Sequence, residues 1–348
     1  MSALLDLPPF AARDDARFLE EMNALSAWHL AGCADYRAVW PRWQNAARLD
    51  ELPFLHAGIF KQQVWRTDGE GIAHQRTLKS SSTTQTGASM IALDERSSAL
   101  QAQSSAAILR ELLGAEARPL VILDHARSLQ QRGEVSARIA AAMSLRPLAT
   151  EMHFLLGEPD NAASLLWQRL GDLCAQHPRL IVYGFTWMLW TAWAQGDVPP
   201  EVRAQLAKTQ VHFVHSGGWK KLEAARVDRA QFDRALLATV APDSAVLDFY
   251  GLVEQVGIIF PLCREGFRHV PRWAAALVRD PWTLDPLDDA PGMLQLLNCL
   301  AHGAPYHSVL TEDLGRLVPG ECGCGRAGQR FELLGRIPKS EIRGCANV

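Results

Sequence analysis

Short apolar runs alternate with helical segments along the middle of the chain. PLVILD (119–124) and RLIVYGF (179–185) are continuous apolar runs that end at polar or glycine positions. Runs this short and this uniformly apolar are typical of parallel strands buried on both faces. QVHFVHSGGWKKLE (210–223) adds a strand, a glycine turn and the start of a helix. The succession predicts an α/β fold with doubly wound sheets, whose ligands bind at the carboxyl ends of the strands.

Charge and cysteine content narrow the function classes. The net charge is −3 and no long basic run is present, so nucleic acid and anionic membrane are not expected partners. The most apolar stretch, 180–194, is shorter than the roughly 20 residues of a spanning helix and is expected to form a strand and a core helix. An odd count of 7 cysteines and an N-terminus without a basic region predict a cytoplasmic protein without a disulfide framework.

A hydroxyl-rich loop, KSSSTTQTG (79–87), precedes the first of these strands. Its hydroxyls and backbone N–H groups can wrap phosphate oxygens, and Gly87 permits a backbone turn that a Cβ would hinder. The order of a Walker A loop is absent. A solvated Ser/Thr-rich linker is the alternative interpretation.

Four further stretches follow this loop in a fixed order: HSGGWKKLE (215–223), DFYGLVEQVG (248–257), LTEDLGRL (310–317) and LLGRIPKSEIRG (333–344). With the loop, they resemble the signatures of the acyl-adenylate-forming (ANL) superfamily: a Ser/Thr/Gly phosphate loop, a Gly-Gly segment, Tyr-Gly-x-x-Glu, Thr-Gly-Asp, and Gly-Arg ahead of a hinge. Three stretches, LPFLHAGIFKQ (52–62) ahead of the loop, HSGGWKKLE, and the ending RGCANV (343–348), are similar to the LuxE-type acyl-protein synthetase branch of this superfamily. The chain is also similar to the EhpF-type ligases.

The resemblance implies a fold and a domain organisation. Residues 1–337 would form an ANL-type adenylation large domain of interleaved subdomains, doubly wound α/β with a small β-rich subdomain. Residues 338–348 would form a short tail in place of the mobile C-terminal domain, which we expect to be absent.

The resemblance also implies an activity and a site. ATP and a carboxylic acid, fatty or aryl, would give an acyl-adenylate, and the acyl group would pass to a thiol of this chain or of an acceptor protein. Tyr250 and Gly251 would hold adenine with Gly217 and Gly218, Asp313 would accept hydrogen bonds from the ribose, and Glu254 would bind Mg²⁺. Arg336 would reach the ribose or α-phosphate as a catalytic residue. The phosphate loop would comprise Ser81, Ser82, Thr83, Thr84, Gln85, Thr86 and Gly87. A core aromatic for Tyr250 and surface carboxylates for the acids are the alternatives.

The motifs depart from the superfamily pattern at three positions. Ser82 and Gln85 replace glycines of the phosphate loop, and Glu312 replaces the glycine of Thr-Gly-Asp. A carboxylate at position 312 adds negative charge beside a nucleotide.

Two cysteine features stand apart from the nucleotide motifs. Cys263, His269, Cys322 and Cys324 supply four soft or borderline ligands, enough for a closed tetrahedral structural Zn²⁺; buried free thiols are the alternative. Cys345 lies in the tail, and the resemblance implies that it carries the acyl group as a catalytic thiol. An inert tail thiol is the alternative there.

Two other function classes stay open. The chain is also consistent with an AMP-forming ligase of a small aryl acid, or with a non-catalytic nucleotide-binding relic. The segment 180–194 contains an aromatic cluster that would suit either an aryl-acid pocket or a core helix. Its members are Tyr183, Phe185, Trp187, Trp190 and Trp193.

Overall fold

The computed structural model describes residues 3–80, 87–129 and 134–337. These belong to two units: the first unit comprises Met1–Ile108 and Gly251–Val348, and the second comprises Leu109–Tyr250. Six residues of the expected phosphate loop (81–86) and the whole expected tail (338–348), with Cys345, lie outside the described residues.

Helices and strands alternate through the first two thirds of the chain, and strands dominate the last third. The helices are α1 Asp15–Gly32, α2 Ala34–Val39, α3 Glu95–Leu113, α4 Ala137–Ser144, α5 Trp167–Gln176, α6 Thr186–Met188, α7 Pro200–Leu206 and α8 Arg229–Leu237. The strands are β1 Leu55–His56, β2 His74–Lys79, β3 Met90–Asp94, β4 Arg118–Ile122, β5 Glu134–Ser136, β6 Ala149–Phe154, β7 Arg179–Phe185, β8 Gln210–Ser216, β9 Ala245–Tyr250, β10 Phe260–Pro261, β11 Arg268–His269, β12 Ala274–Arg279, β13 Pro286–Leu287, β14 Gly292–Asn298, β15 Ser308–Leu317 and β16 Arg330–Arg336.

The second unit is built on a parallel sheet. Its strands stand in the order β6-β4-β7-β8-β9, and each neighbouring pair runs parallel. Strands β4 and β7 are buried nearly throughout, which confirms the prediction from their continuous apolar runs. The carboxyl ends of β7, β8 and β9 lie at Phe185, Ser216 and Tyr250.

The aromatic cluster of segment 180–194 is core. The segment divides into β7, α6 and a wider helical turn over Leu189–Ala194, as expected for a strand followed by a core helix. Trp193 is 1% exposed, and its ring lies edge-on to Phe213 with centroids 4.9 Å apart. Trp190 packs in the same buried cluster. Packing within the second unit therefore accounts for these rings without an aryl-acid pocket.

The first unit contains a seven-stranded sheet of mainly antiparallel strands. Its order is β11-β16-β15-β14-β12-β13, and β1 pairs with β15 in parallel. Every residue of β14 is buried, so this strand forms the centre of the unit's core. The sequence predicted this region only as a β-rich subdomain, because β14 shows no alternation of polar and apolar residues that would indicate antiparallel pairing.

Within the ranges that the structure describes, none of the helices combines the length and the apolar character needed to cross a bilayer. The predicted cytoplasmic location stays a prediction.

Candidate functional site

The pairing of β15 with β16 brings two of the predicted site residues together. Asp313 is the register partner of Arg336, and Arg336 Nε donates to Asp313 Oδ1 at 3.2 Å. The hydroxyl of Thr311 accepts from the backbone N–H of Asp313 at 3.1 Å and donates to Leu294 O at 2.8 Å. Asp313 is 8% exposed. Its carboxylate is thus held in one orientation beside a cation.

Glu312, the residue that departs from the Thr-Gly-Asp pattern, has a cation of its own. Lys61 Nζ donates to Glu312 Oε1 at 2.9 Å, and both side chains are about one fifth exposed (23% and 20%). Burial acts to raise the pKa of Glu312, but the hydrogen bond and charge of Lys61 outweigh it and lower that pKa. Lys61 ends a helical turn over Ala57–Lys61, which directly follows β1 and so is fixed to β15.

The third predicted carboxylate, Glu254, lies in the buried turn Val253–Gln255. It is 5% exposed. Burial raises its pKa, while the Ser89 side chain, by hydrogen bonding, and the charge of Lys61 partly offset that effect, and Asp313 adds like-charge repulsion. Lys61 and Asp313 therefore lie close enough to Glu254 for their charges to act on it.

The residues around Glu254 fix this turn firmly. Gln255 Nε2 donates to Tyr306 O at 3.3 Å, and Asn298 Nδ2 donates to Gln255 Oε1 at 3.1 Å. Gly257 has φ +81°, and a Cβ there would lie 2.6 Å from the Cα of Gln101 in α3. The last glycine of DFYGLVEQVG is required by both the left-handed backbone and this close approach.

Gly87, the described end of the predicted phosphate loop, also lies near Lys61 and Glu254. Gly87 has φ +83°, and a Cβ on it would lie 3.7 Å from Lys61 O. Ser89, which bonds to Glu254, also donates from its backbone N–H to Ser80 Oγ at 2.8 Å. Four predicted stretches, more than 200 residues apart at their extremes, thus meet in the first unit around Gly87, Glu254, Asp313 and Arg336.

The second unit holds Gly217, Gly218 and Tyr250, and Gly251 belongs to the first unit. His215 of β8 is the register partner of Asp248 of β9, so Gly217 and Tyr250 follow at the same level on adjacent strand ends. Gly217 has φ +76°, and among the described residues no atom lies within 4 Å of a Cβ built on Gly218. Gly251 is exposed. Gly217 and Gly218 therefore leave the backbone uncovered by side chains beside Tyr250, the last residue of β9.

Sequence reasoning missed two polar side chains at these strand ends. Thr186 Oγ1 donates to Gly217 O at 2.7 Å and lies 3.0 Å from His215 Nδ1. Both residues are buried, and together they fix the glycine turn. Their position at the carboxyl ends of predicted parallel strands was the signal that would have found them.

The predicted metal ligands also come together. The ligand atoms of Cys263, His269, Cys322 and Cys324 all lie within 4.8 Å of one another. Cys263 Sγ and Cys322 Sγ are 3.8 Å apart, and Cys324 Sγ is 3.2 Å from His269 Nε2. A tetrahedral ion with Zn–S bonds of about 2.3 Å places two sulfurs about 3.8 Å apart.

Two glycine turns shape this cluster. Gly266 donates its backbone N–H to Cys263 O at 3.0 Å, and Gly325 donates to Cys322 O at 2.9 Å. Both glycines have positive φ, +86° and +85°. Each glycine thus closes a tight turn that begins at one of the clustered cysteines, and both cysteines are buried.

The pKa values of the cluster's side chains are shifted in both directions. Burial, with the neighbouring thiols, raises the pKa of Cys322. Burial, reinforced by Arg326 and Arg330, lowers the pKa of His269 to about 4, so its imidazole is neutral and can donate a lone pair. Burial opposes ionisation of Cys324, but a hydrogen bond from the Arg326 backbone and the neighbouring thiols lower the pKa of Cys324 below its ordinary value. These donors fit Zn²⁺ by number, spacing and chemistry.

Comparison with known proteins relates this chain to one family. The family model described as "Acyl-protein synthetase, LuxE" matches residues 26–348. The long-chain-fatty-acid–luciferin-component ligase of Aliivibrio fischeri is 29% identical over 142 residues, and that of Vibrio harveyi is 30% identical over 139 residues. Each alignment covers 39% of this chain and 36% of the relative, so the chain spans about a third of the length of these curated relatives.

Solved structures agree in fold. The chain matches an open conformation of 2-hydroxyisobutyryl-CoA ligase in complex with 2-HIB-AMP and CoA, with a TM-score of 0.66 at 15% identity. The match covers 95% of this chain and 77% of the ligase chain. This likeness confirms the predicted ANL fold of α/β subdomains, and at such low identity it concerns the fold alone.

Glu254→Gln should stabilise the ligand-free protein. Because burial raises the pKa of Glu254 in the folded state, the unfolding free energy falls as the pH rises between the unfolded and folded pKa values. Glutamine cannot ionise, so its advantage should be larger at about pH 8 than at acidic pH. It should shrink as the pH falls from the folded to the unfolded pKa and vanish only below the unfolded pKa. Thermal denaturation across that range measures the effect.

Glu20→Gln, at an exposed position of α1, is the matched control and should leave the midpoint unchanged at every pH. A Glu254→Gln protein that is less stable than the parent at about pH 8 would contradict the interpretation, since the carboxylate would then stabilise the fold.

Proposed function

We propose, since this chain belongs to the LuxE acyl-protein synthetase family, that it activates a carboxylic acid with ATP and passes the acyl group to a thiol. The observation that carries the proposal is the meeting of Gly87, Glu254, Asp313 and Arg336 in the first unit. These residues come from separate stretches that share nothing in sequence except their likeness to the adenylate-forming signatures.

The proposed reaction begins with the ionised carboxylate of the substrate. Its oxygen attacks the α-phosphorus of ATP, the bond to pyrophosphate breaks, and an acyl-adenylate forms. No general base is required, because the acid is already deprotonated near neutral pH. The protein contributes positioning and charge compensation.

Each predicted residue has a distinct part in that scheme. Asp313 accepts hydrogen bonds from the ribose hydroxyls, and Arg336, already beside it, reaches the ribose or α-phosphate. Glu254 would hold Mg²⁺, whose chemistry is to neutralise charge on the phosphates, since hard cations prefer carboxylate ligands. Tyr250 and Gly251 would hold adenine with Gly217 and Gly218, and Ser81, Ser82, Thr83, Thr84, Gln85 and Thr86 would complete the phosphate loop with Gly87.

We favour a fatty acid over an aryl acid as the substrate. The aromatic cluster that suggested an aryl pocket is occupied by core packing around Trp190 and Trp193. The names of the two curated relatives specify a long-chain fatty acid. In the second step a thiolate attacks the acyl carbon, the C–S bond forms, and the bond to AMP breaks.

ATP–pyrophosphate exchange with a panel of fatty and aryl acids tests the proposal. Asp313→Ala should slow exchange at least about tenfold, about 1.4 kcal/mol of transition-state stabilisation, because the ribose loses its acceptor. Asp172→Ala, which removes an exposed carboxylate of α5, should exchange like the parent. Parent-like exchange by the Asp313 variant would contradict the assignment.

The Cys/His cluster supports a second proposal, a structural zinc ion. Cys263, His269, Cys322 and Cys324 would fill all four positions and leave none for water, so the ion would stabilise and not catalyse. It would join the segment after β10 to the loop between β15 and β16. That loop leads into β16, which carries Arg336.

Metal analysis of protein purified without chelator should find about one zinc per chain. Cys322→Ser should lose the metal and lower the thermal midpoint, because an incomplete ligand set binds weakly. Cys174→Ser, a buried thiol of the second unit, is the control and should keep the zinc. Parent protein without metal would remove this proposal.

The tail thiol is the third proposal. Cys345 would accept the acyl group from the adenylate and hand it to an acceptor protein, a role implied by likeness to the LuxE-type branch.

Incubation with ATP and an accepted acid should leave a hydroxylamine-sensitive adduct on the C-terminal peptide. Cys345→Ser should abolish the adduct and keep pyrophosphate exchange within about twofold, because adenylation precedes the thiol step. Mass spectrometry identifies the modified peptide. An adduct confined to another protein, or acyl-AMP alone, would exclude Cys345 as the carrier.

A further inference from the structure

Charge at the first-unit site is not balanced by the predicted motif residues alone. Three carboxylates share two cations there: Lys61 acts on Glu254 and on Glu312, and Arg336 acts on Glu312 and is hydrogen-bonded to Asp313. Asp313 also repels the charge of Glu254. A nucleotide triphosphate brings further negative charge, and like charges in a partly buried site repel strongly. Arg336 and the Mg²⁺ proposed at Glu254 would offset part of that charge, and a further cation would favour phosphate binding here.

Lys61 occupies the position such a cation requires. Its ammonium is 2.9 Å from Glu312 Oε1, its charge acts on Glu254, and its carbonyl is the nearest atom to a Cβ built on Gly87. Gly87 is the described end of the hydroxyl-rich loop. Lys61 therefore sits between the loop and the strand that carries Asp313.

A purely structural role does not account for the Lys61–Glu312 pair, because the turn that contains Lys61 is held in place by other contacts. The turn that Lys61 ends is already attached to β15 by the pairing of Leu55 with Val309 and of His56 with Leu310. Phe60 is 1% exposed and anchors the same turn in the core. The strand pairing and this packing already hold the segment, so the Lys61–Glu312 ion pair is not needed to attach it.

We infer that Lys61 is a phosphate-contacting residue of the nucleotide site, held in place by Glu312. The inference rests on the proposed function and adds a residue to it. An ammonium has three donors, so one can stay on Glu312 while the others reach phosphate oxygens. The carboxylate that departs from the Thr-Gly-Asp pattern then has a use: it orients the cation and is neutralised by it.

Nucleotide binding without any acid substrate tests the inference. Displacement of a fluorescent ATP analogue gives the affinities of MgATP and of AMP for each variant. Lys61→Met should weaken MgATP binding at least about tenfold and AMP binding no more than about twofold, because only the β- and γ-phosphates lose a contact. Lys61→Arg keeps the charge and should recover most of the MgATP affinity. Lys208→Met, the same change at an exposed lysine of the second unit, should match the parent.

A double variant distinguishes a direct contact between Lys61 and phosphate from mere neutralisation of the Glu312 charge by Lys61. If Lys61 only neutralises Glu312, then Lys61→Met combined with Glu312→Gln should bind MgATP as the parent does. If Lys61 touches phosphate, the double variant should stay about tenfold weak. The thermal midpoints of all variants should stay close to that of the parent, which excludes unfolding as the cause.

Three results would overturn the inference: parent-like MgATP binding by Lys61→Met, equal losses for MgATP and AMP, or full recovery in the double variant. In each of these the parent still binds ATP and exchanges pyrophosphate, so the proposed function stands. A parent chain that binds no ATP would overturn both together.

Discussion

The pairing of β15 with its neighbours is the constraint on which the first-unit site depends. β15 pairs with β16, which places Arg336 opposite Asp313, and with β1, which leads into the turn that ends at Lys61. On its other edge it pairs with the fully buried β14. One strand, held in the core, thereby positions two adjacent carboxylates and the cation of each.

Burial of the Glu254 carboxylate lowers the stability of the unliganded protein. Its turn is fixed by amide hydrogen bonds of Gln255 and by the close approach of Gly257 to α3. The carboxylate is nearly inaccessible, and burial disfavours its charged form. A buried acid that raises the free energy of the unliganded fold is typical of a site whose charge is used for binding, because selection retains it at some expense of stability.

The sequence predicted which residues come together better than it predicted their surroundings. The family resemblance placed Glu254, Asp313 and Arg336 in one site, and residue type grouped the four members of the Cys/His cluster. The structure brings each set together, and their roles stay predictions. The Lys61–Glu312 pair joins residues 251 positions apart, and no local pattern reports such a contact. The choice between pocket and core for Trp190 and Trp193 likewise depended on packing. The antiparallel pairing of β14 was hidden because burial on both faces removes the alternation that would reveal it.

Transfer of oxygen from the acid to AMP is the most direct test of acyl-adenylate formation by this protein. When the carboxylate of the substrate is labelled with ¹⁸O, attack on the α-phosphorus leaves one labelled oxygen bridging acyl group and phosphate. Thiolysis at the acyl carbon then releases that oxygen with AMP. If the acyl-adenylate forms, AMP should carry one ¹⁸O and pyrophosphate should be unlabelled, as measured by mass spectrometry. Unlabelled AMP, or label in inorganic phosphate with ADP as the other product, would contradict acyl-adenylate formation.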